Sequence, residues 1–218
     1  MNEHVVLLHG LWMRGFSMLA LRARLLREGF AVHGFEYASV MSQPAHTLMR
    51  LQRAIGALAE GGDAAAHVHL VGHSLGGIFA LQCASDAVDL PPGRIVCLGT
   101  PLTGSAAARA FADWPVGQML FGHSAADLVD GVPAWQGARE VGVVAGSMPH
   151  GLGSHLAQFE GEHDGTVAVA ETRLPGITDH CVVAASHSGL LFSSEAAAQT
   201  VAFLRHGRFE GQAAPVMQ

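Results

Sequence analysis

The stretch His67-Val68-His69-Leu70-Val71-Gly72-His73-Ser74-Leu75-Gly76-Gly77 constrains the fold of this chain more than any other. A short, largely apolar run leads into Gly-x-Ser-x-Gly, and residues with helical periodicity follow from Ile78 to Val88. A chain that passes from strand to helix within a few residues must reverse sharply. Small residues two before and two after Ser74 meet that need, because larger side chains there would strike the adjoining strand and helix. The turn also aims the first N–H groups of the helix at the space beside Ser74, where negative charge would be stabilised.

The same strand-to-helix rhythm runs through the rest of the 218 residues. Val5 to Leu8 is short and fully apolar, as in a parallel strand buried on both faces. Met18, Leu19, Leu21, Leu25 and Leu26 recur at helical spacing and stop at Gly29. Phe30 to Phe35 reads as a strand, and Ala45 to Leu58 as a helix closed by Gly61-Gly62. Further strands are expected at Arg94 to Leu98, Val141 to Ala145 and Cys181 to Ala185, with a closing helix at Ser194 to Arg205. This alternation predicts an α/β fold: one domain over residues 1–218, with a doubly wound, mainly parallel sheet of about six strands flanked by helices. Ligands of such sheets gather beyond the carboxyl ends of the strands. Residues 105–136 are long for a connection and carry Phe111, Trp114, Met119, Leu120, Phe121 and Trp135. They read either as a small cap over the site or as a helix packed on the sheet with an irregular return. The tail from Gly207 shows no periodicity.

Composition excludes several classes. The formal charge is −6 and no Lys/Arg-rich run occurs, so there is no electrostatic footprint for nucleic acid or an anionic membrane surface. Half the residues are hydrophobic, yet no apolar run approaches the ~20 residues of a transmembrane segment. Met1-Asn2-Glu3-His4 lacks the basic start of a signal peptide, and Cys83, Cys97 and Cys181 lie far apart with no CxxC spacing. A cytoplasmic protein with buried thiols is expected.

A serine hydroxyl is a weak nucleophile until a base takes its proton. Of fourteen histidines, His187 is the candidate, because it follows the final predicted strand at the carboxyl edge of the sheet. His33, His46, His67, His69, His73 and His206 read as structural or exposed rings. The acid that would orient the base is Asp164, in His163-Asp164-Gly165-Thr166-Val167 after an expected strand end; Ser74, Asp164, His187 is the chain order this fold requires. Asp179 is the main rival; standing at the start of the last strand, it is expected at the opposite edge of the sheet from the serine, and Glu160 and Glu162 are lesser ones. The Leu11 and Leu75 N–H groups are the candidate oxyanion donors, with Trp12 N–H in reserve. His67 and His69 point the same way along a strand, but two ligands without a third make a weak metal site, and none is expected.

Together with Leu98-Gly99-Thr100-Pro101 and Gly104-Ser105, the segments His9-Gly10, Gly72 to Gly77, Asp164-Gly165-Thr166-Val167 and His187 resemble the α/β-hydrolase superfamily, within it the small lipase and esterase branch, over Val5 to Leu204. The resemblance implies Ser74 as nucleophile, Asp164 as triad acid, His187 as base and no cofactor. It also implies hydrolysis of a small-molecule ester or acyl substrate through an acyl-enzyme. Leu11, Trp12, Met119, Phe121 and Leu190 would favour an uncharged acyl group. The family usually begins with an antiparallel hairpin; here the first strand starts within a few residues of Met1, so a trimmed sheet is expected. The same triad could serve a thioesterase, amidase, acyltransferase or perhydrolase. A non-catalytic binding protein of this fold is disfavoured, because every triad position is filled.

Overall fold

The computed structural model describes residues 3–60, 66–86, 89–112, 119–150, 159 and 161–211. Gly61-Gly62, Val88, Trp114, Glu160 and the tail beyond Gly211 lie outside the described residues. The strands are β1 (Glu3–Leu8), β2 (Ala31–Phe35), β3 (His67–His73), β4 (Ile95–Leu98), β5 (Val141–Gly146) and β6 (Asp179–Val183). The helices are α1 (Leu19–Arg27), α2 (Pro44–Glu60), α3 (Leu75–Asp86), α4 (Ala106–Ala112), α5 (Ala125–Asp130) and α6 (Ser194–His206). The six strands form one sheet in the order β2-β1-β3-β4-β5-β6, and all pairs are parallel.

Local chemistry explains the boundaries. Pro44 occupies the first position of α2, where a missing N–H costs nothing. Thr47, Leu51 and Ile55 then recur every four residues as the buried stripe of that helix. In α6 the Ser193 side chain accepts the Ala196 N–H at 3.1 Å, and Gly207 closes the helix at φ 69°. Two cores result, one on each face of the sheet. Val6, Leu8, Val68 and Leu70 pack against α2 and α3; Val5, Leu7, Val71 and Val144 pack with Leu21, Leu25, Phe203 and Leu204 of α1 and α6. Burying each such aliphatic side chain is worth about 1.5–3 kcal/mol.

Two elements differ from the sequence expectation. Helix α3 is not amphipathic at its start: Leu75 to Leu81 are all buried, because it is wedged between the central strands and α2. A helix buried on all sides needs no polar face. Strand β6 starts at Asp179, two residues earlier than its apolar run suggests; it is an edge strand, so only alternate positions need be apolar. Among the described residues no helix is long and apolar enough to cross a membrane.

The strand order fixes where a site can form. The chain leaves β1 toward β2 and returns on its other side to β3, so the loops after β1 and β3 diverge and leave a crevice at the carboxyl ends of these neighbours. Leu8 pairs with Gly72, and His73 with Leu98, which brings the ends of β1, β3 and β4 level.

Candidate active site

Ser74 stands between β3 and α3 with φ 53°, a left-handed conformation that costs a non-glycine residue roughly 1–3 kcal/mol. The turn is held by Ser74 N–H donating to the Leu98 carbonyl at 2.9 Å and Gly77 N–H donating to the Ser74 carbonyl at 3.0 Å. It is possible only with glycines on either side. A Cβ on Gly72 would lie 2.4 Å from the Gly76 carbonyl carbon, and one on Gly76 would lie 2.4 Å from the Leu8 carbonyl oxygen. The strain lifts the serine onto the head of α3, where it is 9% exposed.

His187 and Asp164 meet at the same end of the sheet. His187 Nδ1–H donates to Asp164 Oδ2 at 2.7 Å, and the His187 backbone N–H donates to the Asp164 carbonyl at 2.9 Å. Asp164 is buried, and its Oδ1 accepts the N–H groups of Thr166 at 2.9 Å and Val167 at 2.8 Å. The carboxylate is thereby fixed in a tight loop clasped by a bridge between His163 and Ala168. Among the described residues the strand that precedes it, β5, closes at Gly146. With Nδ1 committed to the carboxylate, Nε2 of His187 holds the lone pair that a base needs. Among the described residues no hydrogen bond joins Ser74 Oγ to His187 Nε2; such bonds are often long before substrate arrives and tighten afterwards.

The loop after β1 passes against the serine: a Cβ on Gly10 would lie 3.2 Å from Ser74 Cβ. His9 braces this loop. Its buried ring stacks on Tyr37 at 4.3 Å, its Nδ1 meets the Gly10 carbonyl at 2.9 Å, and the Tyr37 hydroxyl donates to the His9 carbonyl. Leu75 is the first residue of α3, so its N–H has no partner within the helix. Trp12 N–H is already committed to Ser39 Oγ at 3.0 Å, which removes it as a reserve donor.

The apolar candidates separate into two groups. Trp12 and Phe121 stack at 6.1 Å, and Trp12 Nε1–H donates to the Leu120 carbonyl at 2.8 Å, so residues 119–121 lie against the loop after β1. Met119 and Trp12 are exposed, Phe121 is buried and Leu11 is half-buried. Leu190 is fully buried in the α6-side core behind the Asp164–His187 pair, away from this group. Trp135, within the stretch considered as a cap, is a core residue whose Nε1–H donates to the Arg139 carbonyl at 2.9 Å.

Three residues make contacts at this site that the sequence did not assign to them. Gly99, at φ 55°, sits where a Cβ would lie 3.1 Å from both Asp164 Oδ2 and His187 Nδ1. Gly146 likewise leaves room for Asp164, whose Cβ is 2.8 Å from the position of an added methyl. His73, directly before the serine, is fully buried and meets the His187 carbonyl through Nε2 at 2.9 Å. A glycine or histidine at a strand end is the visible signal, but the contacts come from loop residues outside that strand, as far as 114 positions away for His73 and His187.

At the other end of the sheet, Asp179 accepts the His180 and Phe209 N–H groups at 2.8 and 2.7 Å, which ties down the chain after α6. Glu3 joins His67 and His69 there, their ligand atoms within 4.8 Å of one another. His69 Nδ1 accepts the Arg94 N–H at 2.9 Å, so its Nε2 must carry the proton. A metal ligand histidine shows the reverse, donating from the ring nitrogen that does not bind the ion.

No family model and no curated protein matches the chain. Solved structures do resemble it. The mature form of Bacillus licheniformis lipase BlEst2 superposes with a TM-score of 0.72 at 17% identity, covering 94% of this chain and 91% of that one. The metagenomic carboxyl esterase MGS0156 gives 0.66 at 17% identity, over 85% and 64% of the two chains. The Vlm2 thioesterase domain gives 0.60 at 15% identity, over 94% and 93%. With its six parallel strands and the turn at Ser74, the chain has the α/β-hydrolase fold.

Proposed function

We propose that this protein is a serine hydrolase that cleaves carboxylic esters through an acyl-enzyme on Ser74. The observation that carries the reading is the buried Asp164–His187 pair, 2.7 Å apart, at the end of the sheet where Ser74 stands in its left-handed turn. Asp164 holds His187 as the Nδ1–H tautomer and stabilises the imidazolium that forms. His187 Nε2 takes the Ser74 proton as Oγ attacks the ester carbonyl, and the Leu11 and Leu75 N–H groups stabilise the oxyanion. Collapse of the intermediate breaks the ester bond, and His187 returns the proton to the leaving alcohol. Water then attacks the acyl-enzyme by the same route and releases the acid and free Ser74. The sequence of steps needs no cofactor.

Trp12, Met119 and Phe121 beside the loop after β1 support an uncharged acyl group, while Leu190 backs the triad from within the core. Esterase and thioesterase structures both resemble this fold, and one triad can attack either acyl group, so a matched oxoester and thioester pair decides between them. The test is hydrolysis of p-nitrophenyl esters of increasing chain length. Ser74→Ala and His187→Ala should each lower kcat by a factor on the order of a million. Unchanged hydrolysis in Ser74→Ala would sink the reading.

A further inference from the structure

We infer that His73 is a positioning residue for the base: its neutral ring ties the nucleophile's own strand to the backbone of His187 and so sets where Nε2 of His187 lies relative to Ser74. The inference rests on the reading of His187 as base. His73 is the last residue of β3, fully buried, and its Nε2 lies 2.9 Å from the His187 carbonyl oxygen. A carbonyl only accepts, so this nitrogen carries the proton and Nδ1 holds the lone pair. That Nδ1 is buried without a hydrogen-bond partner, 3.0 Å from where a Cβ on Gly10 would stand. A residue placed there only to fill space would be apolar, since an unpaired buried acceptor carries a desolvation cost. What the imidazole adds over an apolar side chain is the single N–H directed at His187.

That hydrogen bond completes the restraint of His187. Asp164 holds its Nδ1 at 2.7 Å and its backbone N–H at 2.9 Å, but both contacts come from one loop. Those two contacts alone would let the His163–Val167 loop and His187 shift together against the serine. His73 supplies the tie from the adjacent residue of the nucleophile itself, with the two imidazole rings 4.7 Å apart. Burial also pushes the His73 imidazole down to about 3, so it stays a neutral donor wherever His187 can act as base. The groups that face it are His187, Asp164 and His9, and of these only Asp164 favours its protonation through charge.

The test compares His73→Leu, which keeps bulk and removes the donor, with His73→Gln, whose terminal amide N–H can reach the same carbonyl. Turnover of p-nitrophenyl butyrate is measured per active site, counted by fluorophosphonate titration, alongside KM and melting temperature. His73→Leu should lower kcat per active site by on the order of tenfold to a hundredfold with KM nearly unchanged. His73→Gln should recover most of it even where the two variants melt alike. Equal kcat per active site in His73→Leu and the wild type, or equal losses in both variants, overturns the inference while leaving Ser74 and His187 in place. Should the leucine variant not fold, the ¹⁵N spectrum of the wild-type histidines decides: His73 should be the Nε2–H tautomer from pH 8 to 5, and an Nδ1–H tautomer overturns the inference. A wild type that takes no fluorophosphonate and hydrolyses no ester overturns the reading of the site as well.

Discussion

Strand β3 buries one histidine toward each end, and the rings of His69 and His73 differ in what their nitrogens meet. Burial drives both well below the ordinary imidazole range, to about 3. At the amino end His69 accepts the Arg94 N–H and so helps join β3 to the start of β4. At the carboxyl end His73 donates to the residue whose side chain reaches Asp164. The two aspartates divide in the same way. Asp179 at the amino end accepts two backbone N–H groups and, among the described residues, holds no histidine ring by a hydrogen bond, whereas Asp164 accepts two backbone N–H groups and a ring N–H. Residue type is nearly matched between the ends; the loops that converge on the carboxyl end make the difference.

The comparison breaks most directly at the aspartates. Asp164→Asn should lower kcat by about a thousandfold to ten-thousandfold, because an amide can hold His187 in the wrong tautomer. Asp179→Asn should leave kcat within about twofold and act, if at all, on melting temperature. Kinetics of the two purified variants against one p-nitrophenyl ester checks this, and the opposite ranking would assign the proposed acid role to Asp179.

A smaller effect tests what both ends share. His69 and His73 are held near 3 and His180 near 4, each lowered chiefly by burial from 6.5. Below pH 6.5 the unfolded chain takes up protons that the folded one refuses, so stability is full above that pH and falls as the solution is acidified toward 4. Melting temperature measured from pH 7.5 to 4.5 should therefore decline, and the decline should be shallower in His73→Leu and in a His69→Leu variant. A flat wild-type curve would contradict the burial of these neutral rings.

Much of this was legible in the sequence because it is local. Apolar runs bounded by glycine mark the strands, and the spacing around Ser74 marks the turn; the six strands stand within about two residues of where periodicity puts them. Less legible was whatever depends on partners distant in the chain. Asp164 reaches His187 from a loop well beyond β5, and Gly99 matters only because that pair settles against it. Leu190 reads from the sequence as one of the apolar residues that would favour an acyl group, yet the turn at Ser188–Leu191 directs it into the core. Trp12 N–H looked available as an oxyanion donor until the loop after β2 brought Ser39 to it. Periodicity reports which face of an element is apolar, and it carries no information about which loops meet.

The most direct test of the central claim is intact-mass analysis after exposure to a fluorophosphonate, followed by peptide mapping, since this probe reads an activated serine without the natural substrate. The account predicts one adduct per chain, on Ser74, and its loss in His187→Ala. Labelling of another serine, or labelling of Ser74 that survives removal of His187, would contradict it.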